Sequence, residues 1–291
     1  MATQVTVPAV RARKRGTGDP LVMVTAYDAP GARIADEAGV DIILVGDSLA
    51  MVVLGYEDTL QVTTDDMAHH VAAVARAKPR PLVVGDLPWL SYHVSVEDTV
   101  RNAATLIRAG AQSVKLEGGR KRVPMIEALV DAEIPVMGHI GLTPQSVNVF
   151  GGFKVQGKGE DAARALVADA EALADAGCFA IVLECVPDAV ARMVTEAVSV
   201  PTIGIGAGPA CDGQVLVFHD LLGMYDQLSP KFVRRYANIG EQMREAISHY
   251  LDDVRTGRFP NATNESFHMS GNEELKKLYG QAVVVAMPKV N

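Results

Sequence analysis

Four acidic residues each close a short apolar run: Asp47 in LVGDS, Asp86 in PLVVGD, Glu117 in SVKLE and Glu184 in AIVLEC. Each run is of strand length, so each carboxylate stands where a strand gives way to a loop. Taken singly, each has an ordinary explanation. Asp47 can cap a turn, Asp86 before Leu87-Pro88 can hold a loop, and Lys115 can pair with Glu117. Four carboxylates converging at one place are harder to explain in that way, because like charges repel and favour protonation unless a cation intervenes. Carboxylate oxygens without a cysteine cluster suit a hard divalent ion, Mg²⁺ before Zn²⁺, with positions left for water and substrate oxygens. Ser48 and Lys115 then remain to meet an anionic group. Lys115 and Glu117 are two apart and share one face of a strand.

Glu184 lies among apolar neighbours in IVLECVP, surroundings that suit a proton-transfer group, with a salt bridge as the structural alternative. His139 in MGHIG reads as a hydrogen-bonded core histidine. His69 and His70, adjacent on a helix, cannot face one ligand together and read as surface or packing residues.

Positioning these groups requires a repeated scaffold. Strands are expected over 21–27, 41–47, 81–86, 113–117, 135–140, 180–185, 201–207 and 215–220, the last ending in His219-Asp220. Helical periodicity falls near 29–38, 64–78, 96–109, 122–132, 160–176, 187–198 and 229–255, with Thr64 and Ser95 as caps. After the first, the strands are apolar almost throughout, as in parallel strands covered on both faces. Eight βα units indicate a (β/α)8 TIM barrel, whose active site lies at the C-terminal ends of the strands. The rival open doubly wound sheet would want a Gly-x-Gly-x-x-Gly turn after the first strand, which is missing. One catalytic domain is expected over 20–268, with an N-terminal arm over 1–19 and an extension of unassigned role over 269–291. The glycine-rich GIGAGPACDG (204–213) either cradles a phosphate in a loop before a helix or allows close packing.

Composition narrows the partners. The 291 residues are 48% hydrophobic with a net charge of −8, and no block of Lys or Arg offers a nucleic-acid footprint. Three scattered cysteines form neither a disulfide framework nor a Cys-x-x-Cys zinc pair, which fits a reducing cytoplasm. Neither a signal-peptide core nor a membrane-length apolar run is present, so neither export nor membrane insertion is expected.

The segments VTAYDAPGARIADEAGVDIILVGDSLAMVVLGY, VVGDLPWLSY, VKLEGG, PVMGHIGLTPQSVNVFGGFKVQGKG, VLECVP and PTIGIGAGPACDGQVLVFHD together resemble the ketopantoate hydroxymethyltransferase family across residues 20–268. The resemblance implies a barrel of the phosphoenolpyruvate/pyruvate type. It also implies transfer of a one-carbon unit from 5,10-methylenetetrahydrofolate to 3-methyl-2-oxobutanoate, giving 2-dehydropantoate for pantothenate and coenzyme A synthesis through a Mg-stabilised enolate. Carried over residue by residue, it implies that Asp47, Asp86 and Glu117 hold one Mg²⁺ per subunit. Ser48 and Lys115 would bind the 2-oxo acid, with Asp47 and Asp86 at that substrate as well as at the ion, and Glu184 would be the proton acceptor. A homo-oligomer, a decamer of two stacked pentameric rings, is implied too. Gly85 stands where the family pattern leads one to expect alanine. A carbon–carbon lyase or mutase on another 2-oxo acid is the enzyme alternative, disfavoured by the lack of a KKCGH-type loop, and a non-catalytic scaffold is the alternative outside enzymes.

Overall fold

A computed structural model describes residues 3–14, 18–227 and 230–267. Eight parallel strands close into one barrel in sequence order, with β1 pairing both β2 and β8. They are β1 Leu21–Thr25, β2 Ile42–Val45, β3 Leu82–Asp86, β4 Ser113–Glu117, β5 Val136–Gly141, β6 Ala180–Glu184, β7 Thr202–Ile205 and β8 Gly213–Leu216. The helices among the described residues are α1 Val7–Arg11, α2 Ala29–Ala38, α3 Leu49–Val52, α4 Thr64–Arg76, α5 Val96–Ala109, α6 Val123–Asp131, α7 Val147–Phe150, α8 Glu160–Asp175, α9 Asp188–Ala197, α10 Phe218–Leu221 and α11 Ile239–Arg255. Two compact units divide the chain, Met1–Asn238 holding the barrel and Ile239–Asn291 holding α11.

Strand parity organises the barrel unit. Leu21, Met23, Ile42, Leu44, Leu82, Val84, Met137, Val182, Ile203 and Val215 form one buried cluster filling the barrel, whereas Ile43, Val45, Val83, Val114, Leu116, Ile181 and Leu183 belong to the layer under the helices. Because side chains alternate along a strand, the positions that continue the inner rows are Asp86, Lys115, Glu117, His139 and Glu184. The opposite end of the barrel is closed by the N-terminal segment. Val10 is fully buried in the inner cluster, and Lys14 Nζ donates to the carbonyls of Thr195 and Val200 and to Asp212.

Several expectations meet corrections. The fourth helix is capped by Thr63, whose side chain accepts from Asp66 N while Asp66 accepts from Thr63 N, a reciprocal box one residue before the expected Thr64. Ser95 caps α5 as expected, accepting from Asp98 N at 3.0 Å. The last strand ends at Leu216 rather than at 220, because Phe218 N donates to Thr25 Oγ1 at 2.9 Å, and the chain turns into α10 instead of pairing with a neighbouring strand. His219 and Asp220 therefore lie in that short helix. No helix separates β7 from β8, so the glycine-rich loop is not the phosphate-binding turn before a helix. Close packing explains it: Gly206 has φ 64°, and a Cβ there would come within 2.8 Å of Phe232. Helix α11 starts at Ile239 rather than near 229, since the described part of 230–238 forms turns, with Val233 N bonded to Pro230 O and Tyr236 N to Leu221 O. Gly85 lies under α5, where an added Cβ would sit 3.3 Å from both Ala111 and Leu106, so the glycine lets the helix approach β3 closely. No described helix is long and apolar enough to cross a membrane.

Candidate active site

Register brings the inner polar positions side by side. Asp86 on β3 stands opposite Lys115 on β4, Glu117 on β4 opposite His139 on β5, and Glu184 on β6 opposite Gly141 on β5. Gly141 is required there: its φ is 95°, and a side chain would meet the Glu184 carbonyl at 2.3 Å, the same carbonyl that accepts from Leu142 N. Asp47 follows β2 by two residues, in the turn that opens α3, and its backbone N donates to Asp86 Oδ2 at 3.3 Å.

All six residues named from the sequence, Asp47, Ser48, Asp86, Lys115, Glu117 and Glu184, line one cavity of about 450 Å³ at the C-terminal ends of the strands. Its floor is charged, and its walls rise through Leu142, Phe153, Lys154, Tyr225, Lys231 and Phe232. A mostly apolar cleft with a few convergent polar groups is the usual form of a small-molecule site.

The floor is a continuous chain of charges. Lys115 Nζ lies 2.7 Å from Asp86 Oδ1, 4.0 Å from Glu117 Oε1 and 3.4 Å from His139 Nδ1. His139 reaches Glu117 Oε1 from Nδ1 and Glu184 Oε2 from Nε2, each at 3.2 Å. Ser48 Oγ shares a 2.9 Å hydrogen bond with Tyr27 Oη. Asp47, Asp86, Lys115, Glu117 and His139 are each at most 4% exposed, whereas the Glu184 side chain keeps 16% exposure to the cavity.

Burial at this density moves protons. Asp47 is driven well above the usual carboxylate range by desolvation, then by the repulsion of Asp86 and Glu117. Asp86 is also raised by burial, with Lys115 pulling the other way. Burial would raise Glu117 as well, but hydrogen bonding and charge from His139, with Lys115 and the Gln145 N–H, hold it below its ordinary value. In Lys115 the surrounding carboxylates overcome desolvation and raise the ammonium. His139 behaves similarly: burial and Lys115 disfavour its charge, yet Glu117 and Glu184 lift it to about 9. The crowding of like charge is thus felt most at Asp47, where burial and the neighbouring Asp86 and Glu117 all favour the protonated form.

That end fits a divalent cation in its donor chemistry. Asp47 and Asp86 are adjacent all-oxygen donors, and Asp86 Oδ1 is sealed from solvent without a well-aligned hydrogen bond. Two carboxylates are the number Mg²⁺ commonly takes alongside water and substrate oxygens. No group of three His, Cys, Asp or Glu side chains among the described residues is already gathered as a ligand set. Glu117 is engaged elsewhere, by His139 at Oε1 and by Gln145 N at Oε2.

His139, read from the sequence as a core histidine, is buried as expected but bridges Glu117 and Glu184. The signal was available: it lies two residues after Met137, on the inward side of β5. His70 packs by donating from Nδ1 to the Tyr27 carbonyl, 2.7 Å away, and His69 is exposed, as the sequence suggested. Since that contact faces a carbonyl oxygen, His70 Nδ1 is the donor. Asp220 lines the cavity, whereas His219 packs on the Tyr27 ring at 5.5 Å between centroids.

Comparison with known proteins identifies relatives of this chain. A sequence model described as ketopantoate hydroxymethyltransferase matches residues 4–262. A 3-methyl-2-oxobutanoate hydroxymethyltransferase of Syntrophobacter fumaroxidans is 56% identical over 281 residues, 96% of this chain and 98% of that one. A match so wide runs into residues 269–291. Among solved structures, 2,3-dimethylmalate lyase, a member of the PEP mutase/isocitrate lyase superfamily, aligns with TM-score 0.55 at 19% identity, covering 96% of this chain and 95% of the other. Phosphonopyruvate hydrolase in complex with oxalate and Mg²⁺ aligns with TM-score 0.56 at 15% identity over 94% of each chain. At these identities the likeness is one of fold.

Proposed function

The chain belongs to the ketopantoate hydroxymethyltransferase family, and on that footing we propose that it transfers the one-carbon unit of 5,10-methylenetetrahydrofolate to 3-methyl-2-oxobutanoate, using Mg²⁺. The observation that carries this reading is the single cavity floor on which Asp47, Asp86, Lys115, Glu117 and Glu184 meet. In this reading Asp47 and Asp86 hold the ion and Glu117 completes its surroundings. The bound ion would stabilise negative charge on the keto oxygen as the C3 proton leaves.

The rest of the work falls to the chain's own side chains. Lys115 and Ser48 orient the carboxylate of the 2-oxo acid, the first by charge and the second through a hydroxyl held by Tyr27. Glu184, beside the open cavity and 3.2 Å from His139, takes or returns a proton at C3 or at the folate. A carbon–carbon bond forms between C3 and the methylene carbon, both bonds from that carbon to the folate nitrogens break, and water supplies the new hydroxyl, its other proton and the proton from C3 going to the two nitrogens. The apolar walls exclude bulk water from the carbanionic centre.

Proton NMR of the purified protein with Mg²⁺, the 2-oxo acid and the folate tests the reaction. A new hydroxymethyl resonance that EDTA abolishes is expected, and Asp47→Asn or Glu117→Gln should demand more metal for the same rate. Exchange of the C3 proton in D₂O without product would reject the folate as electrophile, and no change in any signal would reject the whole reading. Assembly as a homodecamer belongs to the same proposal. Light scattering should give the mass of ten chains, and a monomer or dimer would reject it.

A further inference from the structure

Behind the cavity floor, outside its lining, lies a buried polar pair that the chemistry above does not use. Gln145 follows β5 in the 3-10 turn Pro144–Ser146 and is 5% exposed, and Tyr92, in the loop after β3, is fully buried. Both polar groups of the Gln145 side chain are matched, as is its backbone N. Its backbone N donates to Glu117 Oε2 at 3.0 Å. Its side-chain Nε2 donates to Asp47 Oδ2 at 2.8 Å and to the Leu87 carbonyl at 3.0 Å, and its Oε1 accepts from Tyr92 Oη at 2.5 Å. Tyr92 Oη in turn accepts from Glu117 N at 3.1 Å. The network fixes the orientation of the amide, since a flipped one would put its oxygen against two acceptors.

We infer that Gln145, backed by Tyr92, is a positioning residue that holds the Asp47 and Glu117 carboxylates at a fixed separation so that the floor can take a divalent cation. The inference rests on the metal reading above and adds residues that neither the sequence motifs nor that reading assigned. Three points carry it. One residue touches a carboxylate contributed by β2's turn and another contributed by β4, so it couples two otherwise independent elements. The Nε2 bond takes up only Oδ2 of Asp47. Tyr92 also binds the backbone of Glu117, so the same two side chains set both the strand end and the carboxylate that it carries. Holding like charges together before the ion arrives is the part of metal binding that a flexible pair of carboxylates does badly, and partners behind the ligands commonly change affinity by about 10–100-fold when removed.

The test compares Gln145→Met, which keeps the backbone donor and the approximate volume, with Tyr92→Phe, which removes one hydroxyl. Mn²⁺ binding is read by EPR and Mg²⁺ binding by calorimetry, alongside rates measured across metal concentration. The expected result for Gln145→Met is metal binding weakened by about 10–100-fold, with a smaller loss in the same direction for Tyr92→Phe. Turnover should recover toward wild type at saturating metal, and the KM for the 2-oxo acid should then be unchanged. Variants that melt earlier but bind metal as wild type does would reduce the pair to a structural role and overturn the inference. Should Gln145→Met fail to fold, unchanged metal binding by Tyr92→Phe would overturn it as well. Wild-type protein that binds neither ion would overturn the metal reading and this inference together, which separates that failure from the case where only the variants behave normally.

Discussion

Replacing Glu184 by Gln is expected to lower turnover by about 10²–10⁴-fold, the usual contribution of a positioned acid or base, while leaving 2-oxo acid binding nearly intact. The substitution preserves size and the place at the end of β6 but removes the capacity to accept a proton. Glu184 is the one carboxylate of the floor with appreciable access to the cavity, and the remaining three are tied to Lys115, His139 or Gln145. It stands 3.2 Å from His139, so the variant also loses the charge facing that ring. Proton exchange at C3 in D₂O separates its two possible duties. If Glu184 acts on C3, exchange disappears with turnover; if it acts on the folate, exchange survives in the variant. Near-normal turnover would move the acid–base role to another group.

Lys115→Met should be the most damaging change to stability among the floor residues. The ammonium is the cation closest to Asp86 and lies within 4.0 Å of Glu117, all three almost sealed from water. Removing one member of a buried ionic set typically costs about 3–5 kcal/mol, because the partners' charges are left uncompensated. For a unit of this size that corresponds to a melting temperature lower by on the order of 10 °C. The deficit should depend on pH in a defined direction. Burial already raises Asp86 and Lys115 restrains it, so the variant raises it further. A carboxyl whose folded value lies above its unfolded value, about 3.9, favours the folded state below that pH and loses this advantage as pH rises through the folded value. The gap between wild type and variant should therefore be narrow near pH 4 and widen toward pH 8. Thermal melts of both proteins across that range provide the check, and superimposable melts at pH 8 would show that Lys115 does not balance the floor.

The legibility of this site followed from one regularity. Short apolar runs ending in Asp47, Asp86, Glu117 and Glu184 stated both the strands and what each presented at its end, and a closed parallel barrel gathers such ends on one face. Parity extends the reading to Lys115. The parts misread, left open or read incompletely were those where a residue's partner is distant in sequence. The extent of β8 depended on Thr25, 193 residues before Phe218, and the role of the glycine-rich loop depended on Phe232 and on the missing helix between β7 and β8. His139 looked like core from its apolar neighbours. Its setting was fixed by β4 on one side and β6 on the other.

The sequence alone determined the periodicity of the elements, the apolar strands that must be covered on both faces, and the identity of the charged groups at their ends, because these follow from residue type and local spacing. Register and closure determined the rest. Only the barrel decides that Lys115 lies against Asp86, that His139 stands between Glu117 and Glu184, and that Gln145 ties Asp47 to Glu117. Distances of this kind set how much each charge is desolvated and which neighbour answers it, and those energies arise from contacts between segments that no local pattern encodes.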